Sequence, residues 1–266
     1  MVTLPLSNSR RCSLYKLDNR FAERSFTVTV VGCGGTGGFA AEELCRLLPE
    51  RAQLVLVDHD RVEENNLTRQ NFSYEDLGKF KSEVLAQRLS RRYRRSVAYT
   101  TLPIAALKEV EIPGLVIGCV DNGLARRDIA EKVKGQLFQP YRCVSWWVDA
   151  GNGDNYGQIL IGNTLKGGGF DKEGTCFALP LPTLQRPELL AQASPVELAC
   201  AQMAEQGPTI NRAMASVVVE VVRRLIEGTC PWMQFYLDLE AGTMHPVFAT
   251  PEAVKKITKG KEVKHD

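Results

Sequence analysis

The run VVGCGGTGG, Val30 to Gly38, constrains this chain more than any other feature. The stretch before it, Ser25 to Val31, is β-branched and aromatic and reads as a short buried strand. Gly32, Gly34 and Gly37 then fit G-x-G-x-x-G, and Phe39 to Leu48 has the apolar spacing of a helix. A strand, a glycine turn and a helix in this order make a phosphate-holding unit. Glycine admits positive φ and close backbone approach, and the helix start presents unpaired N–H groups and partial positive charge to an anion. Gly35 lies in the same turn and joins the candidate nucleotide contacts. Alone, the pattern also suits a turn with no ligand; its position between strand and helix gives it weight.

Gln53 to Val57 reads as the second strand, closed by Asp58 and Asp60. A carboxylate at this place accepts hydrogen bonds from ribose hydroxyls, and Asp58, at the strand end, is the better candidate. Asp60 has two open readings, ribose contact or capping of the next turn, while His59 points away. Asn66, Arg69, Gln70 and Lys81 follow within a short span. Arginine grips phosphate oxygens in a fork, lysine supplies a point charge, and the two amides donate neutral hydrogen bonds. Gly114 to Val120 reads as another buried strand, which puts Asp121 at its C-terminal end, where ligands of open α/β sheets gather.

The run DHDRVEENNLTRQNF, with Lys81 and the later Cys119-Val120-Asp121-Asn122, resembles the ThiF/MoeB and ubiquitin-activating superfamily of adenylating enzymes. Their pattern is D-x-D-x-V-x-x-x-N-L-x-R-Q, then a lysine and C-x-D-N, and Asp58, Asp60, Val62, Asn66, Leu67, Arg69 and Gln70 fill it here. The resemblance spans roughly Ser25 to Phe248. It implies a Rossmann-like, doubly wound, mostly parallel sheet with an antiparallel C-terminal extension. It implies ATP as the nucleotide, with Asn66, Arg69 and Lys81 on its phosphates and Asp121 helping to hold Mg²⁺. Details such as VVGCGGTGG look most like the ThiF-related proteins of bacterial PRTRC cassettes, which also encode a ubiquitin-like protein and conjugating-enzyme-like proteins. The implied substrate is the C-terminal tail of that small ubiquitin-like partner. Family precedent also implies a homodimer in which an N-terminal arginine (Arg10, Arg11, Arg20 or Arg24, with Arg20 preferred) reaches the neighbouring site.

The balance of 33 basic against 31 acidic residues argues against a dedicated nucleic-acid or membrane surface. Arg88 to Arg95 is the local exception and reads as a solvated basic helix face. No apolar run is long enough to span a bilayer, and the cysteine usage suits a reducing cytoplasm. None of the eight cysteines forms the C-x-x-C pairs with which many relatives bind zinc, so no zinc is expected.

The chain divides into an N-terminal segment (1–24), an adenylation domain (25–250) and a charged tail (251–266). Within the domain, 25–150 forms the nucleotide half and 151–250 the carrier-tail half. Tyr141 to Val148 reads as a strand, NGDN as a turn, and Leu165 to Gln192 as a mobile crossing loop rich in Gly and Pro. Pro195 to Glu205 suggests a short helix, Ile210 to Glu227 a long one, and Phe235–Leu239 with Pro246–Phe248 a final hairpin. Cys200 stands where several ubiquitin-activating relatives carry the thiol that receives the activated acyl group. Its apolar neighbours Leu198, Ala199 and Ala201 equally suit a buried small side chain, and both readings stay open. Cys176 is the second nucleophile candidate. Two other readings compete with adenylation: a nucleotide-holding scaffold, and an NAD-dependent dehydrogenase, which leaves Arg69, Lys81 and Asp121 without a task.

Overall fold

In a computed structural model, residues 16–17, 25–107, 114–135, 145–165, 169–191, 207 and 209–259 are described. Apolar, β-branched stretches form β2 (Phe26–Val31), β3 (Ala52–Val57), β4 (Val97–Thr100), β5 (Leu115–Gly118) and β6 (Trp146–Asn152). These pair in parallel in the order β4-β3-β2-β5-β6. The sheet continues antiparallel through β7 (Tyr156–Asn163), β10 (Trp232–Asp238) and β11 (Thr243–Phe248), for eight strands in all. This is the doubly wound sheet with an antiparallel extension that the sequence implies.

Side chains alternate between two apolar layers. Val28, Val30, Leu54, Leu56, Leu115, Ile117, Trp146 and Val148 pack on one face. Val31, Val57, Val116 and Trp147 pack on the other. Both faces are therefore covered, which explains why the parallel strands read as continuous apolar runs. Helices α1 (Gly35–Leu47), α2 (Lys81–Tyr93) and α5 (Ile210–Glu227) supply the first layer. Helix α3 (Gly123–Gly135) supplies Ile129 and Val133 to the second.

The register aligns Val31 with Val57 and with Gly118, so β2, β3 and β5 end together. The chain leaves β2 for β3 on one side and returns to β5 on the other. The crevice outside those strand ends is the topological switch point where open α/β sheets bind ligands.

Several expectations need correction. Helix α1 begins at Gly35, four residues before its first large apolar residue, because the glycines themselves form its first turn. Strand β6 runs Trp146–Asn152, later than expected, and residues 141–144 fall outside the described set. The crossing segment carries regular structure: β8 (Gly169–Phe170), β9 (Thr175–Ala178), α4 (Pro182–Gln185) and a 3₁₀ turn at Pro187–Leu190. Strand β9 pairs with β8 and, in parallel, with β1 (Lys16–Leu17). Buried side chains satisfy its backbone. Asn163 Nδ2 donates to Phe177 O at 2.8 Å and Gln185 Nε2 to Pro180 O at 2.7 Å, while the same Gln185 Nε2 ties the segment to β7 through Ile161 O at 2.6 Å.

The basic stretch of α2 is also not simply solvated. Arg88 pairs with Asp76, Arg92 with Glu42, and Arg95 donates to the carbonyls of Leu48 and Pro49 that end α1. The charged tail begins with a helix of 9 residues, α6 (Pro251–Lys259). The signal was present: Thr250 Oγ1 accepts the N–H of Ala253 at 3.2 Å, and Pro251 takes the first helical position. Val254 of α6 is 2% exposed in the main core. Val254→Asp is expected to cost at least about 2 kcal/mol of stability. An unchanged urea midpoint would show that α6 does not dock.

Candidate functional site

The glycine turn and the acidic pair are joined before any ligand is considered. Asp58 Oδ2 accepts the backbone N–H of Cys33 at 2.6 Å, and Oδ1 accepts that of Asp60 at 2.8 Å. Burial raises the Asp58 carboxyl above its ordinary pKa, against the pull of these two bonds. Gly32 sits at φ +88°, and a Cβ there would lie 2.4 Å from Cys119 O, so glycine is required. Gly37 is required too: its Cβ would lie 1.8 Å from Gly32 O. Gly34 precedes α1, whose first N–H groups open toward the cleft.

The next polar groups are pinned from two sides. Lys81 opens α2; its backbone N–H donates to Asp60 O at 2.9 Å and its Nζ to Asp60 Oδ2 at 3.2 Å. Asp60 thus serves as counter-ion to Lys81, a role not weighed from its position. Ser82 Oγ donates to Asp58 O and Thr100 O, fastening the start of α2 beneath the ends of β3 and β4. Asn66 is buried; its Oδ1 accepts the N–H of Glu63 and its Nδ2 donates to Asn65, closing the 3₁₀ turn Glu64–Asn66. The side-chain amide of Gln70 lies over Gly34, and its Oε1 is buried with no hydrogen-bond partner among the described residues.

These groups line one cleft of about 600 Å³, a volume suited to a nucleotide. Gly32, Gly34, Gly35, Asp58, Asp60, Asn66, Arg69, Gln70, Lys81 and Asp121 all border it, whereas Gly37 acts beneath the turn. Asp121 is exposed after β5, its Oδ1 accepting from Asn122 Nδ2 at 3.1 Å. Its open carboxylate oxygens are hard donors of the kind Mg²⁺ takes. By contrast Asp58 and Asp60, whose ligand atoms cluster with those of His59, already accept from backbone N–H groups and from Lys81 respectively.

Sequence reasoning missed part of the cleft. Leu102, Pro103 and Ile104 form an apolar wall, and Thr36, Asn152 and Asn211 form a polar one. It also missed a buried ion pair: Arg126 Nε donates to Asp149 Oδ2 at 3.1 Å, and its guanidinium donates to Val120 O at 2.7 Å. Burial raises the Asp149 carboxyl despite that partner. The other nucleophile candidate fails on burial. Cys176 sits in β9 at 0% exposure, its thiol pushed up to about 12. Cys200, Arg10, Arg11, Arg20 and Arg24 lie outside the described residues.

The sequence matches the ThiF family over residues 7–257, and the chain belongs to that family. It is similar to ubiquitin-like modifier-activating enzyme 5 of Xenopus laevis, 31% identical over 241 residues, covering 82% of this chain and 54% of that protein. The Gallus gallus protein of the same name is 29% identical, with the same coverage. The chain thus spans about half the length of the curated relatives it matches. Among solved structures, the fold is shared with E. coli MccB bound to ATP (TM-score 0.59, 18% identity, 85% of this chain and 63% of that one). It is also shared with PaaA (TM-score 0.58, 19% identity, 87% and 65%).

Two outcomes follow from burial. Asp149→Ala leaves the Arg126 charge buried and unpaired and should cost about 3–5 kcal/mol in urea denaturation. Burial raises the thiols of Cys33 and Cys45, and takes those of Cys119, Cys176 and Cys230 to about 12. Iodoacetamide at pH 8, mapped by mass spectrometry, should therefore leave Cys33, Cys45, Cys176 and Cys230 unmodified until the protein is unfolded. Fast labelling of Cys176 or Cys230 would contradict the described packing.

Proposed function

We propose that the protein is an ATP- and Mg²⁺-dependent adenylyltransferase that activates the C-terminal carboxylate of a small ubiquitin-like protein. The observation that best supports this reading is the convergence on one cleft of the α1 start, Arg69, Gln70 and Lys81, with Asp121 also on its border. A hydride-transfer site needs the glycine turn and Asp58 but has no use for the cationic pair. The names of the relatives, ubiquitin-like modifier-activating enzymes, favour a ubiquitin-like carrier. The structures of MccB with ATP and with MccA favour ATP and a small polypeptide substrate.

In this reading the glycine turn and α1 cradle phosphate, and Asp58 accepts from a ribose hydroxyl with its remaining lone pairs. Asn66, Arg69, Gln70 and Lys81 hold the phosphates, the two cations opposing charge that grows on the leaving group. A carrier carboxylate oxygen attacks the α-phosphorus; the new O–P bond forms as the bond to the bridging oxygen breaks and pyrophosphate leaves. Mg²⁺, held by Asp121 and phosphate oxygens, supplies further charge neutralisation when bound. The Cys200 thiolate then accepts the acyl group as a thioester and AMP departs. The protein acts as a cytoplasmic homodimer in a PRTRC-type bacterial system and passes the carrier to a conjugating-enzyme-like partner.

ATP–pyrophosphate exchange with the cassette's ubiquitin-like protein tests the proposal. Wild type and Cys200→Ala should both exchange, with a thiol-sensitive conjugate on non-reducing gels in wild type alone. Arg69→Ala and Lys81→Ala should each lose about 10²–10³-fold in rate, and Asp121→Ala should lose exchange altogether. Full exchange by Asp121→Ala would overturn the metal assignment. Tight ATP binding without exchange would favour a scaffold.

A further inference from the structure

The glycine run holds two glycines, Gly35 and Gly38, beyond the three that G-x-G-x-x-G requires. G-x-G-x-x-G is met by Gly32, Gly34 and Gly37, yet position 35 is also glycine. The reason lies 176 positions along the chain, from the difference of the two numbers 211 and 35. A Cβ on Gly35 would lie 2.3 Å from both Cγ and Oδ1 of Asn211 and 2.4 Å from its Nδ2. The Asn211 amide lies flat against the first residue of α1.

Asn211, in the first turn of α5, is 1% exposed and borders the nucleotide cleft. Its Oδ1 accepts from Thr36 Oγ1 at 3.4 Å and from Asn152 Nδ2 at 3.1 Å. Thr36 also donates to Asn152 Oδ1 at 3.1 Å. The other end of the amide, Nδ2, donates to the backbone carbonyl of Arg69 at 3.2 Å. One buried side chain therefore ties the start of α1, the end of β6 and the backbone of Arg69 together. A buried amide satisfied at both ends has one orientation, and leaving either end unpaired is costly.

We infer that Asn211 is a positioning residue for the anion grip: by holding the Arg69 carbonyl against α1, it fixes the direction from which the Arg69 guanidinium meets phosphate. Asn211 need not touch the nucleotide. Gly35 is its accommodation, so this additional glycine serves the arginine and not the phosphate directly. This inference rests on the adenylation reading only for the identity of the anion.

A double-mutant cycle on ATP affinity, measured by calorimetry on the full chain, tests it. If Asn211 acts through Arg69, Asn211→Ala weakens ATP binding about tenfold in wild type and less than twofold in an Arg69→Ala background. Should Asn211→Ala fail to fold, Asn211→Asp at pH 8 takes its place in both backgrounds. It keeps the shape and the acceptor toward Thr36 and Asn152 while withdrawing the donor to Arg69. An equal loss in both backgrounds, or no loss in wild type, overturns the inference and leaves the adenylation reading standing. A wild type that binds ATP but exchanges no pyrophosphate overturns that reading and leaves the cycle interpretable. A wild type without ATP affinity overturns both.

Discussion

The two bonds accepted by the Asp58 carboxylate are the constraint from which the rest of the site follows. The bond from Cys33 fastens the glycine turn after β2 to the end of β3, and the bond from Asp60 fixes the carboxylate against the chain that leaves β3. The main-chain bond from Gly32 N to Val57 O and that from Cys119 N to Val31 O extend the same seam to β5. Three strand ends are held level, so groups from separate parts of the chain face one crevice. Burial makes this expensive for a charged carboxylate, and the two N–H donors offset that cost. The bonds also keep Asp58 in the orientation that leaves its outward lone pairs for a ribose hydroxyl.

A second tier of contacts arranges charge around that frame. Lys81 is 8% exposed, and Asp60 supplies its counter-charge within 3.2 Å. The lysine therefore keeps a partner when no phosphate is present, and a nucleotide has to compete for it. Arg126 and Asp149 form a drier pair beneath the far wall, where removing one partner strands the other. Asn211 adds the neutral tie between α5 and Arg69. Charge and geometry are thus set by residues that need not meet substrate.

Much of this was legible in the sequence because it is local or periodic. The β-branched runs around Val28, Leu54 and Ile117 name the parallel strands, and the patterning of Ile210–Glu227 gives α5 to the residue. The spaced set from Asp58 to Lys81 falls on one cleft because strand ends and loop lengths are short-range properties. What escaped reading is long-range and polar. Nothing near Asn211 says that it meets Arg69, 142 positions away, although a lone asparagine in line with the buried Ala215, Val218 and Val222 is a signal of an interior contact. The pairing of Arg126 with Asp149 likewise depends on the register that places Gly118 beside Asp149. The segment 169–191 looked structureless because backbone groups at Phe177, Leu179 and Pro180 are satisfied by the side chains of Asn163 and Gln185, outside or at the edge of any periodic pattern. The capping signal of Thr250 and Pro251 was local, and the charge of the residues after it masked the helix.

An adenylating cleft directs chemistry to the α-phosphorus of ATP, which the products report. The most direct measurement is the identity of the products when the protein, Mg²⁺ and ATP labelled at the α- and γ-phosphates are incubated with a ubiquitin-like protein ending in a free carboxylate. The account predicts carrier-dependent formation of AMP and pyrophosphate in equal amounts. Formation of ADP and inorganic phosphate, with no AMP, would contradict it.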